Sequence, residues 1–133
     1  MAGLELRLAE AEAALASLED VVPNAGRSLI ERDGAILRLI YTSEAVWKAC
    51  QQALAEREGI EVASPNGAIR AARRLGRLSD EEAQAAIRLG RDRNLAVHMY
   101  RGQIGEEIEE RLAGHAALLH RWLAAMRQAV EAE

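Results

Sequence analysis

Residues 93 to 100 read RNLAVHMY, which sets Arg93 and Asn94 ahead of His98 and Tyr100 within one short stretch. These side chains suit phosphodiester chemistry. A histidine titrating near neutrality can take the proton of a ribose 2′-hydroxyl or protonate the leaving oxygen. An arginine fork can stabilise the extra charge on a pentavalent phosphate, so that no metal is required. On a straight helix Asn94 and His98 lie about 40° apart and share a face, whereas Arg93 and His98 are about 140° apart. Convergence of Arg93 with His98 therefore needs the helix to end or distort near His98, as Arg101 and Gly102 permit, or a second copy of the chain to supply the complementary residue. A structural use of the same residues also stands on spacing alone: Asn94 bonding backbone at a helix end, His98 as a satisfied core or cap histidine, and Arg93 paired with an acid on a neighbouring helix.

Other chemistry-bearing residues point elsewhere. His115 and His120 are five apart, the wrong spacing for two metal ligands on one turn, and no HExxH pattern accompanies them, so core or surface roles are expected and no metal or cofactor is called for. The lone cysteine, Cys50, can form neither an intramolecular disulfide nor a Cys-rich zinc site, and reads as a small buried apolar residue. Glu106, Glu107, Glu109 and Glu110 crowd the first turns of the last helix, where they complement its dipole.

The elements that must position these residues are helical. Apolar residues recur at helical spacing almost throughout, and nothing alternates like a half-buried strand. A first helix is predicted over about residues 3 to 21, with Leu4, Leu8, Ala11, Leu15, Leu18 and Val22 on one face, stopped by Pro23, Asn24 and Gly26. A second is predicted over roughly 27 to 57, with Leu29, Ile36, Ile40, Ser43, Trp47, Cys50 and Leu54 along its seam. Ser64 and Pro65 open a short helix, about 66 to 76. Ser79 with Glu82 is a capping box for the next, whose small face holds Ala83, Ala86, Gly90, Arg93 and Val97. A last helix, about 103 to 129, carries Ile104, Ile108, Leu112, His115, Leu119, Trp122 and Met126. The expected architecture is an all-α, antiparallel four-helix up-and-down bundle with one short extra helix, forming one domain over residues 1–133. The helix bearing Ala83, Ala86 and Gly90 is the expected dimer face, with Gly90 allowing close approach.

Composition narrows the setting. The chain has 133 residues, half of them apolar, and 29% charged, which fits one folded domain and argues against disorder. No apolar run is long enough for a membrane span and the N-terminus carries acids where a signal peptide needs an apolar run, so a cytoplasmic protein without membrane association is expected. Net charge is −4. Yet eight arginines face four acids between Arg70 and Arg101, a local excess that reads either as an anion or RNA site or as a solvated helix face.

The Arg-x4-His-x-Tyr pattern of Arg93, His98 and Tyr100 resembles the signature of HEPN domains, the helical partners of minimal nucleotidyltransferases. Two further segments extend the likeness over about residues 28 to 125. They are SEAVWK, with Glu44, Trp47 and Lys48, and SPNGAIRAARRLGRLSDEE, with Ser64, Pro65 and Ala71. Together they are similar to the nucleotidyltransferase substrate-binding branch. Two departures concern packing and substrate fit: the aromatic before Glu-x-x-Trp-Lys is Tyr41, further upstream, and Ala86 or Ile87 stands where the branch often has Trp.

The resemblance implies a homodimer in which two copies of the motif face a shared cleft, with a minimal nucleotidyltransferase encoded nearby as partner. In that cleft Arg93 and His98 would be the catalytic pair, Asn94, Tyr100 and Arg91 would bind nucleotide or RNA, and Tyr100 would be the residue open to nucleotidylation. It implies a partner or substrate-binding subunit first, and as an alternative a metal-independent endoribonuclease toxin silenced at Tyr100. A non-catalytic helical interaction module is the third possibility.

Overall fold

A computed structural model of the chain describes residues 2–26, 28–100 and 102–132. The described elements are α1 (Ala2–Val21) with a 3-10 turn at Val22–Asn24, α2 (Leu29–Glu58), α3 (Pro65–Arg74), α4 (Asp80–Met99) and α5 (Gly102–Glu131). This is the all-α bundle of four long helices and one short helix that the periodicity predicts. α2 and α5 pack together and both receive α1 and α4, while α3 bridges α2 and α4.

Local chemistry fixes the boundaries. The Ser28 hydroxyl accepts from the Glu31 N–H to start α2, and Gly59, at φ 67°, closes it in a left-handed conformation that side chains disfavour. Ser64 caps α3 ahead of Pro65, whose missing N–H would have had no partner in the first turn. Both bonds of the Ser79–Glu82 capping box are present at the start of α4.

The α1 seam is buried at Leu4, Leu8, Ala11, Leu15 and Leu18, and the α5 seam from Ile108 through Met126. On α2 the expected seam holds from Ile36 to Leu54, but Leu29 is 67% exposed. The first turn of α2 puts no side chain into the core, whose α2 contribution begins at Ala35.

The face expected on α4 needs correction. Ala83 and Ala86 are buried as predicted, but the core then continues through Leu89, Asp92 and Ala96 in place of Gly90, Arg93 and Val97. The reason is electrostatic: α5 offers two partners to Asp92, so a carboxylate turns inward at a position where residue type alone puts it outside. Ala83 and Ala86, 5% and 1% exposed, are covered by their own chain, so they are unavailable as a dimer face. A Cβ at Gly90 would meet nothing within 4 Å, and no close helix approach accounts for that glycine within the chain. No described helix is long and apolar enough to cross a membrane.

Candidate functional site

The antiparallel run of α4 beside α2 brings Arg93 near Glu44, with Nη2 to Oε2 at 3.9 Å. The Glu44 carboxylate is held by the Trp47 indole, which donates from Nε1 to Oε2 at 2.9 Å. Lys48 stands 3.9 Å from the other oxygen of Glu44 and 5.4 Å over the Trp47 ring. Arg93 also donates to Asn94 Oδ1 at 3.1 Å. Glu44, Trp47, Arg93 and Asn94 thus form one polar cluster, built from a one-turn Glu-x-x-Trp spacing on α2 and adjacent residues on α4.

That cluster forms one side of a cleft of about 630 Å³. Ile69, Ala86, Leu89 and Trp122 give it apolar walls; Arg91 and the first turn of α3, Ser64 to Asn66, complete it. Its size and its few polar groups on an apolar surface suit a small ligand or one residue of a polymer. Trp122 is 2% exposed, and its Nε1 has no hydrogen-bond partner among the described residues. Next to it, burial pushes the Cys50 thiol up to about 11, against a smaller downward pull from the indole.

Arg91, Arg93 and Asn94 line the cleft, whereas His98 and Tyr100 do not. Helix α4 continues without interruption to Met99, so Arg93 and His98 keep the separation their spacing dictates. Within one chain they do not converge. His98 is exposed and makes no hydrogen bond among the described residues, with Val97 and Met99 beside it at 46% and 57% exposure. Arg101, expected to help end this helix, lies outside the described residues, as does Arg27.

Tyr100 leaves α4 in an extended conformation and docks between α2 and the start of α5. Its hydroxyl donates to Asp33 of α2, and its ring lies on Gly105, where a Cβ would come within 2.9 Å of Cε1. Burial, then the hydrogen bond to Asp33 and that carboxylate's charge, push the phenol up to about 12.

Two residues with a strong local role, Asp92 and Arg111, escaped the sequence reading of the site. Asp92, between the two cleft arginines, accepts from Arg111 at 2.7 and 2.8 Å and lies 2.6 Å from His115 Nε2. Burial pushes the Asp92 carboxyl up, but the hydrogen bonds from Arg111 and His115 outweigh it and hold the group below the usual carboxylate range. The available signal was Arg111 and His115 four apart on one face of α5, with His115 at a seam position. No described group of three His, Cys, Asp or Glu side chains could hold a metal ion.

Comparison with known proteins fits this architecture. A protein of Thermus thermophilus superposes with a TM-score of 0.84 at 46% identity, over 88% of this chain and 98% of that one. A chain of a mutant MntA–HpeT toxin–antitoxin pair gives 0.77 at 13% identity, over 94% and 97% of the two chains. A chain of the tri-AMPylated Shewanella oneidensis HEPN toxin in complex with MNT antitoxin gives 0.78 at 12%, over 94% and 96%. The last two likenesses are of fold alone. No curated protein matches the sequence. The model of the family described as nucleotidyltransferase substrate binding protein like matches residues 6–128, nearly the whole chain, and the protein belongs to that family.

Proposed function

We propose that the chain is the substrate-binding subunit of a minimal nucleotidyltransferase carried on a separate polypeptide, and that the α2–α4 cleft binds the nucleotide or RNA end presented to that enzyme. The observation that carries this reading is the content of the cleft: Arg91 and Arg93 supply cations, Asn94 an amide and Trp47 an aromatic face, while the motif histidine lies outside. Those are the groups of a binding site for a phosphorylated, ring-bearing molecule. Arg93 grips phosphate, Asn94 orients the guanidinium, and Arg91 extends the grip at the rim. Family membership and the paired, toxin–antitoxin nature of the more distant structural neighbours support a two-protein system.

Co-expression with the transferase of an adjacent reading frame should yield a stable complex, and a mononucleotide should quench the fluorescence of Trp47 and Trp122. Neither a complex with excess transferase nor any quenching at millimolar nucleotide would leave the helical-module reading in its place.

One observation favours a second reading, a metal-independent ribonuclease formed across a homodimer. The imidazole of His98, which makes no hydrogen bond among the described residues, is flanked by exposed Val97 and Met99, and Ile30, Leu37 and Tyr41 are exposed along the outer face of α2. A second copy covering these faces would complete the motif. His98 would take the 2′-hydroxyl proton, the freed oxygen would attack phosphorus, and Arg93 would stabilise the added charge as the 5′-oxygen leaves. Nucleotidylation of Tyr100 would silence it. RNA should then be cut in EDTA to a cyclic phosphate, and His98→Ala should lower the rate at least about a hundredfold; intact RNA with a sedimenting monomer removes this reading.

A further inference from the structure

Of the sixteen arginines, fourteen are described, and ten of those, from Arg7 in α1 to Arg127 in α5, have a hydrogen-bond or carboxylate partner. The remaining four, Arg70, Arg74, Arg88 and Arg91, have none among the described residues. All four are exposed, and all four lie on α3 and α4. In a protein of net charge −4, unmatched cations are therefore gathered on one side.

Their placement has a direction. Arg70 and Arg74, one turn apart on α3, border a groove of about 350 Å³ between α3 and α4, with Ile69 and Ile87 along it. The same two isoleucines line the main cleft, where Arg91 stands. Arg88, one turn before Arg91, continues the charge along α4. Cations thus lead from α3, past an apolar ridge, to a cleft that holds Trp47.

We infer that the α3–α4 face is a track for the backbone of a single-stranded nucleic acid whose terminal nucleotide enters the cleft against Trp47. A row of cations beside an aromatic platform is what single strands require: phosphates follow the charge and a base stacks. The cleft volume suits one nucleotide and excludes a duplex, and a folded acidic partner would cover the arginines without reaching Trp47. The cleft end of the track rests on the ligand-binding reading above; the arginine face does not.

The test is salt-dependent binding, by fluorescence anisotropy, of a twelve-nucleotide single strand with a 2′-deoxy backbone, which cannot be cut through a 2′-hydroxyl. Five phosphate contacts, four from the unmatched arginines and one from Arg93, give a slope of log affinity against log salt of about −3.5. The double variant Arg70→Gln, Arg74→Gln should reduce that slope by about 1.4 and weaken the strand at least about fivefold at low salt, leaving mononucleotide quenching unchanged. If circular dichroism shows that pair unfolding early, Arg74→Gln and Arg88→Gln made singly carry the same expectation at half the size.

A strand that binds no more steeply than a mononucleotide, or is held within twofold by the variants, overturns the track. So does loss of a protein partner in the variants with strand binding intact, which would make the face a protein dock. Steep strand binding without mononucleotide quenching would sustain the track and remove the cleft reading instead.

Discussion

Asp92 and Arg93 are neighbours in sequence and opposites in structure. Toward α5, Asp92 is 4% exposed and bound by two side chains at 2.6 to 2.8 Å. Toward α2, Arg93 is a third exposed and stands 3.9 Å from its carboxylate, beside open space. One side of α4 is fully satisfied and the other is left with capacity to spare. The contrast teaches how a binding helix is made rigid without filling its site: orientation comes from the buried face, so the open face can wait for a ligand.

The sharpest way to break that contrast is Asp92→Ala. It strands His115 in the core and frees α4 to rotate, and should cost about 3 kcal/mol in urea unfolding. The pH dependence carries a sign. The folded carboxyl sits below its unfolded value of about 3.9, so its stabilisation is intact above that pH and is lost as the pH falls through the lower folded value. Wild type should lose stability in this acid range and Asp92→Ala should lose less.

Arg93→Ala should do the reverse, leaving urea stability within about 0.5 kcal/mol and costing about 2 kcal/mol, or roughly thirtyfold, in nucleotide affinity by calorimetry. Equal damage to stability by both variants would erase the distinction between the two faces.

Gly105→Ala, in the first turn of α5, probes the packing of Tyr100 at the C-terminal end of α4. The added methyl must displace the Tyr100 ring, at about 1 to 2 kcal/mol. The freed phenol should then titrate near its ordinary value instead of about 12, read by ultraviolet absorbance of tyrosinate. Because the folded phenol is raised, the stabilisation is whole below about pH 10 and disappears as pH climbs through 12. The smallest effect is expected from Lys48→Gln, which removes a half-exposed cation over Trp47 and should change stability by no more than about 0.5 kcal/mol.

The sequence disclosed whatever is set locally. Ser64 with Pro65, and Ser79 with Glu82, mark helix starts because the chemistry of an N-terminus acts over three residues. The α1 and α5 seams were readable because apolar residues keep the helical period. The α4 seam was not, since Asp92 is made an interior residue by Arg111 and His115, nineteen and twenty-three positions away. The same limit applied to the site. Spacing correctly kept Arg93 and His98 apart on one helix, but only the fold shows that Arg93 faces Glu44 and Trp47 while Tyr100 turns to Asp33 and Gly105.

Cys50 turns the protein into its own stopwatch. It is 2% exposed, lies beside Trp122 of the cleft wall and has its thiol pushed up to about 11. A thiol reagent added at neutral pH reaches it only during moments when the helices part. The pace of labelling therefore counts openings of the bundle around the cleft, with no engineered probe and no second cysteine to confuse the count. A molecule seated in the cleft slows that pace, and occupancy can be read as elapsed time.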